Sequence, residues 1–209
     1  TVTPSDASNL SVDGTTVTIV DPTTDQEITV SGNCSQGQIR VNVDKTAYPD
    51  GEVDLSFEGL TLSNTLTSPV YVASIDGSVN ITVKKGTKNT LSDGESYTNE
   101  DDDNGVIYSK DDLKIKGKGS LTITGGTTLV IGPTSGADNA FDCDGTFSCT
   151  GGIALGIDTY NQMSQFPSNT TNYLTRSISG ANSSGSNAIA ITDADGNVLS
   201  YLTYSTSAG

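Results

Sequence analysis

Histidine and tryptophan are both absent from the 209 residues, and basic side chains number only 10 against 25 acids. Without histidine there is no Ser-His-Asp or Cys-His machinery, no histidine-ligated zinc or copper, and little general acid–base chemistry near neutral pH. A formal net charge of −15 makes nucleic acid and anionic membrane surfaces poor partners, because both are bound by clustered Lys and Arg. No apolar run approaches the ~20 residues that span a bilayer. The opening "TVTPSDASNL" has neither a basic n-region nor an apolar h-region, so the expectation is a soluble, trimmed, mature segment. Three cysteines, Cys34, Cys143 and Cys149, are an odd number, which leaves at least one unpaired or paired between chains and the compartment undecided.

What is present is alternation. Apolar residues recur at every second place in "EVDLSF" (Val53, Leu55, Phe57), "SVNITV" (Val79, Ile81, Val83), "DLKIKG" (Leu113, Ile115) and "TFSCTGG" (Phe147, Cys149). That is strand period with one face buried, and with hydrophobic residues at only 33% the core must be thin and built from Val, Ile and Leu. The later runs share a preamble of strand, short polar turn, strand and Gly. The step from Val53 to Val79 is 26 residues, and the steps from Val79 to Leu113 and from Leu113 to Phe147 are each 34. Self-similarity on this scale predicts an all-β stack of short coils, a parallel β-helix, with a β-sandwich of hairpins as the competitor. The expected organisation is one domain over residues 1–209: a lead-in at 1–24, coils at 25–158 and a C-terminal cap at 159–209. The cap would contain a hairpin in "NAIAITDADGNVLSYLTY", turning at Asp193 to Asn197.

The stretch "EDDDNGVIYSKD" places Glu100, Asp102 and Asn104 at alternating positions, then Gly105, and ends on Asp111. Asp103 and Asp112 enlarge the set. Alternating oxygen ligands, a turn glycine and a closing carboxylate resemble the spacing of a calcium loop. Glu first, Asp last and strand-like flanks exclude an EF-hand, and hard oxygen ligands still suit Ca²⁺. The alternative is a solvated charge run at a coil edge. Asp142 and Asp144 form a second acidic pair, able to bind a cation or to make Asx turns.

Carboxylates are the chemistry that remains for catalysis. A calcium-assisted polyuronate lyase would need a cationic base near the metal. Arg40 and Arg176, the only arginines, stand apart from the acidic loop in sequence, whereas Lys110, Lys114, Lys116 and Lys118 lie beside it. The alternation in "DLKIKGKG" makes those lysines an exposed strand face, useful as binders, and the non-catalytic reading is preferred. Tyr71 and Tyr108 occupy neighbouring places in matching coils, and Tyr48 and Tyr97 fall in polar loops. Each can stack on a sugar or pack in a core or turn. Cys143 and Cys149 fit either a disulfide or two small inward residues.

The run "TKNTLSDGESYTNEDDDNGVIYSKDDLKIKGKGSLTITGG" followed by "GPTSGADNAFDCDGTFSCTGG" resembles a bacterial carbohydrate-binding β-helix family of clostridial and ruminococcal cellulolytic species. "DPTTDQEITVSGNCSQGQIRVNV" resembles that family's N-terminal part. The resemblance implies a right-handed parallel β-helix similar to pectate lyases, bound calcium, and non-catalytic binding of cellulose or acidic pectic sugars such as polygalacturonate. It also implies secretion or attachment at the cell surface, with dockerin or cohesin neighbours outside this segment and a monomeric state. Asp111 and Asp112 sit in the matching motif. The chain departs from the family in passing directly from "LTITGG" to "TTLVIGPTSG", without further coils. The rival functions are a structural or adhesion module, or a weak lyase. An acidic protein meets an acidic polymer only through a bridging cation or a local lysine patch.

Overall fold

The computed structural model describes residues 1–3, 9–22, 27–94, 105–131, 141–143, 146–157 and 185–206. The chain divides into two compact units, Thr1–Thr171 and Asn172–Gly209. The regular elements are strands, and no α-helix occurs among the described residues.

The first unit opens with β1 (Val2–Thr3), β2 (Leu10–Asp13) and β3 (Thr16–Ile19). Next come β4 (Glu27–Ser35), β5 (Gln38–Asn42), β6 (Val53–Asn64), β7 (Val70–Ser74), β8 (Ser78–Val83) and β9 (Lys88–Asp93). Beyond the acidic stretch lie β10 (Ile107–Ser109), β11 (Asp112–Gly117), β12 (Ser120–Ile131), β13 (Phe141–Cys143) and β14 (Thr146–Ile157). The second unit holds β15 (Gly185–Thr192) and β16 (Val198–Thr206).

Apart from the antiparallel β1–β4 and β2–β3 pairs, the described pairing of the first unit is parallel and falls into three ladders. The first ladder runs from the N-terminal half of β4 through that of β6 to β8, β11 and β13. The second runs from the C-terminal halves of β4 and β6 to β9 and the first halves of β12 and β14. The third joins β3, β5, β7, β10 and the second halves of β12 and β14. From β4 to β14 the chain visits the ladders in this same order five times.

Alternation dictates what fills the interior, because successive side chains point to opposite faces of a strand. Leu55, Ile81 and Ile115 stand in register on β6, β8 and β11, as do Val53, Val79 and Leu113, and all six are buried. Like side chains thus lie on like ones. The turns follow equally tight rules: Gly117 has φ of 123°, and a Cβ there would collide with the backbone of Val83. Buried Asn89 on β9 links the neighbouring strands β6 and β12. It accepts the Leu60 N–H at 2.9 Å and donates to the Ser120 carbonyl at 3.3 Å.

The register corrects one sequence-based expectation. Val79 does pair with Leu113 across the longer, acid-bearing interval, but Phe147 pairs with Leu121 and not with Leu113. The partner of Ile115 is Phe141, so both of these later steps are 26 residues, the same as from Val53 to Val79. "FDCDGTFSCTGG" therefore repeats "IKGKGSLTITGG".

In the second unit, β15 and β16 form the expected antiparallel hairpin. Its turn is tied by Asp193, whose N–H donates to the Asn197 carbonyl at 3.0 Å and whose Oδ1 accepts the N–H groups of Asp195 and Asn197, both at 2.9 Å.

Candidate functional site

The outward side of the first ladder carries the side chains that alternation excludes from the core. Asp54, Asn80 and Lys114 form one row across β6, β8 and β11, and Ser56, Thr82 and Lys116 form the next. Of these, Asn80, Lys114 and Lys116 line a cleft of about 310 Å³ together with Glu52, Ser78, Asp112 and Leu113. Donors and acceptors of both charges converge there, a lining suited to a polyhydroxylated ligand. Lys118 lies beyond the strand, in the exposed turn after β11. At the ladder's lower edge Lys84 pairs with Glu27 at 2.6 Å, and this hydrogen-bonded contact holds the Glu27 carboxyl below its usual value.

Asp111 and Asp112 close the acidic stretch where β11 begins, and the fold treats them differently. Asp111 accepts from Lys45 Nζ at 2.7 Å and from the Ile75 N–H at 2.8 Å, which engages both of its carboxylate oxygens. Asp112 faces the cleft. Burial pushes its carboxyl pKa up, the neighbouring Asp111 charge adds to the rise, and Lys45 opposes it. A carboxylate oxygen is the kind of donor a hard divalent cation takes, but both Asp111 oxygens are already engaged, which leaves Asp112 as the carboxylate that lines the cleft. Among the described residues no group of three or more His, Cys, Asp or Glu side chains gathers to hold one. Glu100, Asp102, Asp103, Asn104 and Asp144 lie outside the described residues, as does Tyr97. Asp142 is placed by its backbone on β13, in register with Lys116.

The third ladder brings together residues that are far apart in sequence. Arg40 on β5, Tyr71 on β7 and Tyr108 on β10 occupy successive register positions. The tyrosine rings lie 5.9 Å apart at 45°. The Arg40 guanidinium stands 4.6 Å from the Tyr71 ring centroid and Lys110 Nζ stands 5.2 Å from it. Tyr71 is thereby only 3% exposed, a floor beneath two cations, while Tyr108 is half-buried. Parallel stacking thus sets Arg40 on β5, beside β7, which in turn neighbours β10. Arg176 lies outside the described residues.

Sequence reasoning also missed the second ladder's outward side. Thr61, Thr90, Thr122 and Ser148 follow one another in register, with Ser63, Ser92 and Thr124 as a parallel row. Strands about 4.8 Å apart turn these rows into an uncharged lattice of hydroxyls. The signal was available as the repeated triplets "TLS", "TLS", "TIT" and "SCT", each with its apolar centre turned inward.

The family described as "Carbohydrate-binding domain-containing protein" matches residues 13–138. A protein of that description from Acetivibrio thermocellus is 36% identical over 111 residues, which are 51% of this chain and 37% of the relative. A solved structure described as a polysaccharide lyase-like protein from C. thermocellum, a gadolinium derivative, superposes with a TM-score of 0.50 at 31% identity. That match covers 71% of this chain and 63% of the other, so the chain spans less than two thirds of either protein.

Proposed function

Since the chain belongs to the family of carbohydrate-binding domain-containing proteins, we propose that it binds plant cell-wall polysaccharide, cellulose or acidic pectic chains, outside the cell and without cleaving them. The observation that carries this reading is the cleft on the first ladder, where Asn80, Ser78, Lys114 and Lys116 converge beside Glu52 and Asp112. The hydroxyl rows of the second ladder add a flat, neutral surface on which an uncharged glucan can exchange hydrogen bonds. We read the three ladders as coils of a right-handed parallel β-helix, an architecture whose stacked strands display such rows at a fixed repeat. Calcium is proposed to bind the acidic coil edge, with ligands drawn from Glu100, Asp102, Asp103, Asn104, Asp111 and Asp112, and Asp142 and Asp144 as a second acidic pair. There it would relieve repulsion among crowded charges.

Lack of histidine supports binding without catalysis. A lyase reading has one specific point in its favour, the description of the structural neighbour as lyase-like. Depletion assays on insoluble cellulose and pectate, with calcium and with EDTA, test the proposal. Adsorption to at least one polymer is expected, and Lys114→Ala with Lys116→Ala and Lys118→Ala should weaken it. Retention of the protein by neither polymer would instead favour a structural or adhesion module. Rising ultraviolet absorbance from unsaturated product would identify a lyase.

A further inference from the structure

We infer that Tyr48, on the loop between β5 and β6, is a sugar-stacking residue that extends the first-ladder cleft and takes one pyranose of an uncharged glucan chain. The inference rests on the carbohydrate-binding reading above and names which of its two ligand classes this end of the cleft accepts.

Burial sets Tyr48 apart. Among the residues whose side chains are described, the large apolar ones left exposed are Val12, Tyr48, Leu66 and Val198, and Tyr48 is the aromatic one, with 37% of its surface open. Phe57 and Tyr71 are buried, Tyr108 is half-buried, and the chain has no tryptophan. A tyrosine ring left in water forgoes the stabilisation that burial would give it, and the C–H face of a sugar covers ring surface of this kind.

Three ties set the loop beside the cleft. Glu52, its last residue before β6, is itself part of the wall. Lys45 Nζ reaches Asp111 at 2.7 Å, one residue before Asp112 in the same wall. The Asp50 N–H donates to the Asp76 carboxylate at 3.2 Å, two residues before Ser78, which also lines the cleft. Gly77 between them has no room for a Cβ, because the backbone of Asp50 and Gly51 presses on it. Within the loop the Gly51 N–H donates to the Tyr48 carbonyl at 3.3 Å, which draws Tyr48 back toward the neighbour of Glu52.

The ring is held as well as exposed. The Tyr48 N–H donates to the Asp44 carbonyl at 2.9 Å, Asp44 Oδ1 accepts the N–H groups of Thr46 and Ala47 at 2.8 and 3.2 Å, and the Tyr48 hydroxyl donates to Asp21. Backbone and side-chain tip are thus both fastened before a ligand arrives, which leaves little ordering entropy to lose on binding. Charge then selects the ligand. Asp21 and Asp44 are the charges that act on the phenol, Glu52 stands four residues on, and the loop's own cation, Lys45, is already paired with Asp111. A uronate stacked here would be repelled by those carboxylates, whereas a neutral glucan meets no such repulsion and can donate its hydroxyl protons to them.

A purely structural role would have Tyr48 only fastening the loop to Asp21. Tyr48→Phe removes that hydrogen bond and keeps the ring, whereas Tyr48→Ala removes both. In the full 209-residue chain, with melting temperature recorded for each variant, Tyr48→Ala should weaken adsorption to insoluble cellulose about tenfold and Tyr48→Phe should stay within about twofold of wild type. Equal losses in the two variants, or no loss in either, overturn the inference. Because the chain lacks tryptophan, Tyr48→Trp places a sole indole reporter at the position. A soluble cello-oligosaccharide should shift its emission, and an oligogalacturonide at the same concentration should not. An emission that the cello-oligosaccharide leaves unmoved, or that the oligogalacturonide moves as much or more, overturns the inference. The carbohydrate reading survives each of these failures as long as wild type adsorbs to cellulose or to pectate. Adsorption of wild type to pectate alone likewise overturns the inference and leaves that reading intact, and adsorption to neither polymer overturns both.

Discussion

Lys45 and Asp111, 66 residues apart in sequence, meet at 2.7 Å, and the other Asp111 oxygen accepts the Ile75 N–H at 2.8 Å. The carboxylate thus pins the turn after β5 and the segment between β7 and β8 to the start of β11. Its two bonds differ in worth. Lys45 is 45% exposed, so water and salt screen the ion pair, and Lys45→Ala should cost less than about 1 kcal/mol. Asp111→Ala leaves the Ile75 amide beside a fully buried side chain without its partner, and should cost about 1–3 kcal/mol. Urea unfolding of both variants measures the difference. Equal losses would mean that the ion pair, and not the amide bond, holds this corner.

Ile81 and Ile115 stack in register at the centre of the first ladder, at 0% and 1% exposure. A carboxylate at either place has no partner and costs several kcal/mol, enough to exhaust the stability of a typical domain of this kind. Ile81→Asp and Ile115→Asp should unfold or aggregate, whereas Thr82→Ala and Lys114→Ala, on the outward side, should melt cooperatively. A soluble Ile115→Asp protein with a wild-type transition would contradict the core described above.

Alternation made the inward residues legible, because a period of two assigns each side chain to a face regardless of its partner. Partnership itself was less legible. "AFDCDG" and "TFSCTGG" both alternate, so pattern alone let Phe147 be set against Leu113, and only the register pairs it with Leu121. Arg40 was set aside for a related reason. Steps of unequal length along the chain carry the third ladder from Arg40 to Tyr71 to Tyr108, and no constant period in the sequence announces that line. The Asp193 to Asn197 turn was the opposite case, since a local Asx-rich loop between two alternating runs needs no long-range information.

Calcium at the acidic edge makes a separate prediction. A ligand that binds only the folded state adds RT ln(1 + [L]/Kd), about 2.7 kcal/mol at a hundredfold excess over Kd. The melting temperature should rise with calcium and fall with EDTA, and Asp111→Ala and Asp102→Ala should each shrink that difference. An unchanged calcium increment in both variants would move the ion away from this stretch.

Asp112 supplies the most discriminating test, because its protonation is linked to folding. Burial raises its carboxyl pKa in the folded chain, and the Asp111 charge adds to the effect. Between the ordinary carboxylate value and the raised one, the folded state holds more protons than the unfolded state. Stability therefore falls as pH rises through that window, and the penalty is complete above the folded-state value. Asp112→Asn, which keeps the shape and removes the charge, should accordingly melt higher than wild type at neutral pH and match it below the usual carboxylate range. Calcium changes the sign of the argument. A divalent ion beside Asp111 and Asp112 favours their charged forms, so in calcium the wild type should overtake Asp112→Asn at neutral pH. Melting curves of the two proteins at both pH values, with calcium and with EDTA, read this directly. If the asparagine variant keeps its advantage in calcium, Asp112 is not a ligand; if it never has one, the carboxylate is better solvated than its burial implies.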